Sequence, residues 1–280
     1  MKADFPVTYL CSKFGVSTSA FYAWSISHTT ATQHRRDELT VLVIDAFATS
    51  KSAAGYRKIT AALHRQDVVV NRKTVAGIMA ENALMAPLAV RNFTRSTARK
   101  ARVKDPQDLL LREFASLVPG AILVGDITYV PTQEGWLYVA TVIDLATRAV
   151  LGYATGNRQG TSLIIRAMTM AKRSGLVVPG SVFHSDHGTQ YRSKRFTNYC
   201  RASGIHRSMG ARMQCWDNAV AESFFSKLKT ERLDWVTFTT RKAAEIDVID
   251  YINHFNNDRL HQTLGYATPA EKLAELRPAA

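Results

Sequence analysis

Ala121-Ile-Leu-Val-Gly-Asp-Ile-Thr-Tyr-Val130, Leu137-Tyr-Val-Ala-Thr-Val-Ile-Asp144 and Arg148-Ala-Val-Leu-Gly-Tyr-Ala-Thr155 follow one another closely, broken by Pro131-Thr-Gln-Glu-Gly135 and by Leu145-Ala-Thr147. Short runs rich in Val, Ile, Leu and Tyr and bounded by turn residues read as strands. The breaks are short enough for hairpin connections. Three consecutive antiparallel strands are the economical reading, and the rest of the chain is placed around them.

Downstream, the pattern alternates. A helix is expected over Thr161–Ser174, a strand over Ser181–Ser185, a helix over Lys194–Ser203, a short strand over Ile205–Arg207, and two helices over Ala219–Glu231 and Arg241–Asn256. Three strands followed by alternating helix and strand, giving a mixed sheet, is the plan of the ribonuclease H architecture, an α+β or α/β fold. The catalytic domain is expected to span 106–280, C-terminal helices included.

Upstream the chain is helical and basic. Arg91 to Lys104 carries Arg91, Arg95, Arg99, Lys100, Arg102 and Lys104 among small polar residues with no apolar period, ending at Asp105-Pro106. This marks a linker over 91–105, a solvated tether or a strand of phosphate contacts. Before it, Pro6 to Phe14 reads as a helix closed by Gly15, and Ser17 as the cap of a second helix, Thr18 to Ile26. Residues 1–30 thus form a helix-turn-helix-like segment. Over 31–90, Leu39, Leu42, Val43, Ala46 and Phe47 give one apolar-periodic helix, Gly55-Tyr-Arg-Lys-Ile59 opens another to about Arg65, and Asn71 caps a third over Arg72–Asn82. Arg72 and Lys73 in its first turn sit at the end that a recognition helix points toward DNA.

The composition agrees with a nucleic-acid partner. The 280 residues are 46% apolar and carry 36 Lys and Arg against 23 Asp and Glu, a net +13. A real core and a polyanionic partner are both implied. Residues 1–105 hold 16 basic and 7 acidic residues, net +9, leaving 20 and 16, net +4, for 106–280. No apolar run approaches a membrane span and the N-terminus has no signal-peptide pattern, so a cytoplasmic, nucleoid-associated protein is expected. Cys11, Cys200 and Cys215 are odd in number and far apart. They support neither a disulfide framework nor a cysteine zinc site.

Three carboxylates occupy unusual places. Asp126 lies in the middle of an apolar strand, where an ionised group is costly unless neutralised. Asp186, in His184-Ser-Asp-His-Gly188, follows an apolar strand at its C-terminal exit, where open sheets commonly place their chemistry. Glu222 stands in the first turn of a helix whose apolar stripe is Ala221, Phe224, Phe225 and Leu228, with Ser226 and Lys229 on the acid's side. Three hard oxygen donors on three elements suit magnesium or manganese, and two such ions suit phosphoryl transfer. Taken singly, each acid is more simply a turn cap or a helix-dipole partner.

Fifty-nine residues separate the aspartates and 35 separate Asp186 from Glu222. This resembles the D, D-35-E signature of bacterial transposases and retroviral integrases. Asp126-Ile-Thr-Tyr129, His184-Ser-Asp-His-Gly-Thr-Gln-Tyr191, Asp217-Asn-Ala-Val-Ala-Glu-Ser-Phe-Phe225, Lys227-Leu-Lys229, and Tyr251 to Tyr266 with Thr268-Pro-Ala are more specific still. Together they resemble the second reading frame product of the insertion-sequence-three family of transposases, from Gly55 to about Lys272.

That resemblance implies a catalytic, metal-binding triad of Asp126, Asp186 and Glu222, and a terminal-DNA contact at Lys229. It implies two Mg2+ ions, with Mn2+ as substitute. The reaction would be hydrolysis at an element end followed by attack of the freed 3′-hydroxyl on another phosphodiester. The partner would be double-stranded DNA, element ends and target, gripped by a homo-oligomer. Arg259 and His261 match the family's Arg-x-His pattern and join the expected DNA contacts, as does His187, which either nears the scissile phosphate or only hydrogen-bonds at the strand exit. His184 has the same two readings, and Trp216 either stacks on a base or is buried against the glutamate helix. Gly125 stands where the family commonly has a bulkier residue. No sustained heptad pattern is present, so a first-reading-frame protein is an expected fusion or partner. Two rivals stay open: a non-catalytic DNA-binding regulator of the element, and a ribonuclease H-type nuclease using water alone.

Overall fold

A computed structural model describes residues 5–26, 30–87, 118–209 and 219–277. The linker with Arg91, Arg95, Arg99 and Lys100, and the segment holding Cys215, Trp216, Asp217 and Asn218, lie outside them. The chain divides into two compact units, Met1–Met85 and Ala86–Ala280.

The first unit is helical: α1 (Val7–Phe14), α2 (Thr18–Ile26), α3 (Ala31–Thr49), α4 (Tyr56–His64) and α5 (Arg72–Glu81). The expected punctuation is present in atomic detail. Gly15 closes α1 at φ 63°, a left-handed conformation that favours glycine. The Ser17 hydroxyl accepts from the Ala20 amide at 3.1 Å. Asn71 Oδ1 accepts from the Lys73 amide at 2.8 Å and so starts α5. Leu39, Val43, Phe47, Ile59, Leu63, Val75, Ile78 and Met79 form one buried cluster among α3, α4 and α5. In contrast, α2 buries none of its residues, and Trp24 and Ile26 are exposed.

The second unit contains β1 (Ile122–Val130), β2 (Leu137–Asp144), β3 (Val150–Gly156), α6 (Thr161–Lys172), β4 (Val182–Ser185), α7 (Lys194–Ala202), β5 (His206–Met209), α8 (Ala219–Glu231), α9 (Arg241–Asn257) and α10 (Pro269–Leu276). Short 3-10 turns occupy Leu233–Trp235 and Gln262–Leu264. The sheet order is β3-β2-β1-β4-β5. β1 and β2, and β2 and β3, are antiparallel, whereas β1 and β4, and β4 and β5, are parallel. This is the mixed, ribonuclease H-like sheet expected from the sequence.

Strand alternation sends side chains to two cores. Val124, Val130, Val139 and Ile143 pack with Phe224, Phe225 and Leu228 of α8 and Val248, Tyr251, Ile252 and Phe255 of α9. Leu123, Ala140 and Val142 face the other way, onto Leu163, Ala167 and Met168 of α6 and Phe196 of α7. Gly125 lies on this second face, and a Cβ there would stand 2.3 Å from the Phe183 ring. Phe183 fills the space that a bulkier residue at 125 would need.

Most boundaries fall within two residues of expectation, and the differences have local causes. β3 begins at Val150, after Arg148, which sits at φ 62°. The Asp144 carboxylate holds that turn, accepting from the Thr147 amide at 2.9 Å and its hydroxyl at 2.7 Å. The helix α10 goes beyond the sequence reading. A capping box starts it, with Thr268 Oγ1 accepting from the Glu271 amide and the Glu271 carboxylate from the Thr268 amide.

Candidate active site

Sheet register brings the two aspartates together. β1 and β4 run parallel with Val124 opposite His184 and Gly125 opposite Ser185. Asp126 and Asp186 are the residues that follow the last paired positions on the two strands, and the charge of Asp186 acts on Asp126. Among the described residues β4 ends at Ser185, so β1 continues past Gly125 paired only to β2. The site opens where β4 stops.

Asp126 shares the parity of Val124, so it points to the face covered by α8. Glu222 rides the first turn of that helix, and the predicted stripe of Ala221, Phe224, Phe225 and Leu228 is the one that is buried. The electrostatics record how near the acids stand. Burial first, then the charge of Asp186 and that of Glu222, push the Asp126 carboxyl up to about 7, while the Ile127 amide and Lys229 work the other way. Burial and Asp186 also raise Glu222. Asp126 Oδ1 accepts from its neighbour's amide, Ile127, at 2.7 Å. Asp186 is more exposed, and its Oδ1 accepts from the Gly188 amide at 2.9 Å. A Cβ at Gly188 would meet that oxygen at 2.9 Å, so glycine allows the turn.

Two hydroxyls that the sequence reading did not single out border these acids. Thr141 lies directly across β2 from Asp126. Its Oγ1 and the Tyr191 Oη are buried without a hydrogen-bond partner. Burial, then the charges of Asp126 and Asp186, push the Tyr191 phenol well above its ordinary value. Tyr191 stood in a quoted motif, but the signal for Thr141 is register alone, which no linear pattern displays.

Among the described residues no three His, Cys, Asp or Glu side chains are gathered as a metal cluster. The donor chemistry nonetheless fits a divalent cation: three hard carboxylates repel one another, one is held partly neutral, and buried hydroxyls beside them lack partners. Asp126, Asp186 and Glu222 are the residues that would hold it.

Other expected contacts divide. Arg72 and Lys73 are exposed in the first turn of α5. Lys229 acts on Asp126, and its Nζ lies 5.0 Å from the centre of the Tyr129 ring. His187 is half-buried next to Asp186. Arg259 and His261 differ from expectation, being 8% and 6% exposed. Arg259 grips Glu231 with Nη2 at 2.5 Å and Nε at 2.8 Å, and the Tyr251 hydroxyl donates to the same carboxylate at 2.8 Å. The His261 ring packs edge-on to Phe255 at 4.6 Å. Both side chains are thus largely buried at the α8–α9 corner, where Arg259 is spent on Glu231. His184 is likewise interior, with Nδ1 2.9 Å from the Ser208 hydroxyl.

Comparisons with known proteins agree with this architecture. The Integrase core domain family matches residues 117–215 and, in a second model of the same description, 203–269, and the HTH-like domain family matches 34–92. These define an integrase-core protein with a helix-turn-helix-like region. The transposase InsF for insertion sequence IS3A of Escherichia coli (strain K12) is 33% identical over 273 residues, covering 96% of this chain and 94% of the relative. The insertion element IS600 uncharacterized 31 kDa protein of Shigella sonnei is 34% identical over 263 residues, covering 93% and 96%. The chain belongs to the IS3-type family of insertion-sequence transposases. Solved structures similar to it include a simian T-cell lymphotropic virus intasome in complex with PP2A regulatory subunit B56 gamma (TM-score 0.49, 16% identity, 84% of this chain and 77% of that one). Another is the HTLV-2 integrase catalytic core domain in complex with magnesium (TM-score 0.43, 15% identity, 55% and 96%). Among the described residues, no helix is long and apolar enough to cross a membrane.

Proposed function

We propose that this protein is a DNA transposase that hydrolyses a phosphodiester at an insertion-sequence end and then joins the freed 3′-hydroxyl to another phosphodiester. The observation that supports the reading is the mutual repulsion of the three acids: the charges of Asp186 and Glu222 act on Asp126, and that of Asp186 acts on Glu222. Asp126, Asp186 and Glu222 would hold Mg2+, or Mn2+ in its place, and a full site would take two ions. When bound, such ions activate the attacking hydroxyl and stabilise the leaving oxygen.

The chain's own residues supply the rest. Lys229, on the acids' side of α8, holds a phosphate of the bound end. Tyr191 keeps its proton and offers an O–H beside the acid pair, and Thr141 offers a second hydroxyl across from Asp126. Hydrolysis forms a P–O bond from water as the P–O3′ bond breaks, leaving a 3′-hydroxyl and a 5′-phosphate. Strand transfer makes one P–O bond for each it breaks, so no nucleotide cofactor is needed. Residues 31–90 grip the element ends through Arg72 and Lys73 and 91–105 track phosphates with Arg91, Arg95, Arg99 and Lys100, while 106–280 carry the chemistry. The segment 1–30 precedes the DNA-binding region as a separate helix pair. Synapsis of two ends requires at least two protomers, and a first-reading-frame protein completes the assembly as fusion or partner. Bacterial DNA in the cytoplasm is the site of action.

The test needs no knowledge of the element ends. Supercoiled plasmid is incubated with Mg2+ or Mn2+ and wild-type protein, Glu222→Gln protein, or wild type plus chelator. Nicking by the wild type alone and joined products are expected. Nicking without joining would favour the simple nuclease, and equal nicking by Glu222→Gln would remove that acid from the reaction.

A further inference from the structure

We propose that Tyr129 and Trp136 form a stacking platform for an unpaired DNA base next to the three acids. The inference rests on the transposase reading and adds to it the conformation of the bound strand.

Both rings are conspicuous in a unit whose other aromatic clusters are largely buried. Tyr129 is 52% and Trp136 48% exposed, and they meet edge to face with centroids 4.8 Å apart. Lys229 Nζ stands 5.0 Å from the Tyr129 centroid, and the same ammonium acts on Asp126. Tyr129 lies three residues beyond Asp126 on β1, roughly 10 Å along an extended strand and on its opposite side, so the Lys229 ammonium is the group that links the two. The aromatic pair and Lys229 therefore lie toward the end of β1 that β4 leaves uncovered, with Asp126 farther back on the same strand and within reach of the Lys229 charge.

The platform is held in place before any ligand arrives. Trp136 ends the β1–β2 connection, and its carbonyl accepts from Arg241 Nε at 3.1 Å. Glu134 engages Arg241 twice: its carboxylate accepts from the Arg241 amide at 2.9 Å and its carbonyl from Nη2. The Gln133 amide donates to the Phe238 carbonyl at 3.0 Å, and the Thr132 hydroxyl to the Gly135 carbonyl at 2.5 Å. Gly135 sits at φ 100°, and a Cβ there would strike the Arg241 guanidinium at 2.8 Å. A connection fixed this firmly to the start of α9 presents its tryptophan at little entropic cost on binding.

The chemistry selects the occupant. Stacking on an aromatic face with a cation for the backbone is how single-stranded nucleic acid is held without sequence preference. Bases within a duplex already stack on each other and offer no free face, so the base taken here is one swung out of the helix. A phosphate at Lys229 and a neighbouring base on Trp136 would keep the strand from sliding past the acids.

The full-length protein is titrated, in chelator so that nothing is cut, with fluorescent oligodeoxythymidylate and with a duplex of equal length. Tyr129→Leu with Trp136→Leu is expected to weaken single-strand binding roughly tenfold or more. Duplex affinity should change less than about twofold, and Trp136→Phe with Tyr129 intact should keep most of the single-strand affinity. Thermal melting shows that the variants fold, and the aromatic Trp136→Phe substitution still reads stacking if the leucine pair does not. Unchanged single-strand affinity, or equal losses on both probes, overturns the platform. So does a change in sedimentation alone, which would make the rings a protein interface. Those outcomes with plasmid nicking intact leave the transposase reading standing, whereas binding to neither probe removes both.

Discussion

Asp126 is the residue on which most of the site's energetics turn. Its carboxyl is raised from the ordinary range to about 7, so between those values the native state keeps a proton that the unfolded chain has lost. The consequence is a loss of stability as pH rises through that window, complete above about 7. Asp126→Asn should match the wild type in metal-free melting near pH 4 and exceed it at pH 8 by up to a few kcal/mol. Equal melting at both values would mean that the carboxylate is not strained. A divalent cation reverses the sign, since it must displace the proton, and Mg2+ should raise the wild-type Tm more at pH 8 than at pH 6. Arg259 makes the opposite case, a charge spent on architecture. Its partner Glu231 has 10% side-chain exposure, so Arg259→Ala leaves a carboxylate buried and should cost about 3–5 kcal/mol in denaturant unfolding. Under folding conditions the variant should bind DNA within about twofold of wild type; a large loss of affinity with unchanged stability would return Arg259 to the DNA surface.

At the scale of elements, α3, α4 and α5 enclose their own core, to which no residue of α1 or α2 contributes. The two leading helices are eight and nine residues long, short for independent helices in water. Removing residues 1–29 should therefore leave the cooperative melting of the α3–α5 region nearly unshifted, as followed by circular dichroism on the otherwise complete chain. A large drop would show that α1 and α2 brace the bundle. The distribution of charge between helices points the same way: α2 has no basic residue, whereas α5 opens on Arg72 and Lys73. Of the two helix-turn-helix patterns, the second is the one equipped for phosphates.

For the whole molecule, the relevant quantity is the asymmetry of charge, net +9 before residue 106 and net +4 after it. Phosphate contacts release counterions, so the affinity for duplex should fall steeply with salt. Reversing Arg99 and Lys100 to glutamate should lower the slope of log affinity against log salt by about 2 if both touch phosphates. An unchanged slope would make 91–105 a tether only. The same measurement with Arg72→Glu and Lys73→Glu separates the recognition helix from the linker.

Read alone, the sequence determined the order of elements through α9, the three-stranded start, the caps at Ser17 and Asn71 and the buried stripe of α8, because each is written in local periodicity, and its motifs singled out the three acids as the candidate site. The position of Asp126 in an apolar strand was already a sign of unusual chemistry. Only the tertiary structure decided which residues stand next to one another across the sheet: Thr141 opposite Asp126, Phe183 in the space at Gly125, Glu231 waiting for Arg259, and the aromatic pair beside Lys229. The reason is physical. Local pattern records what a residue prefers around itself, whereas pairing register and the meeting of distant helices set which charge or ring it finds there, and that partner decides between a DNA contact and a buried strut.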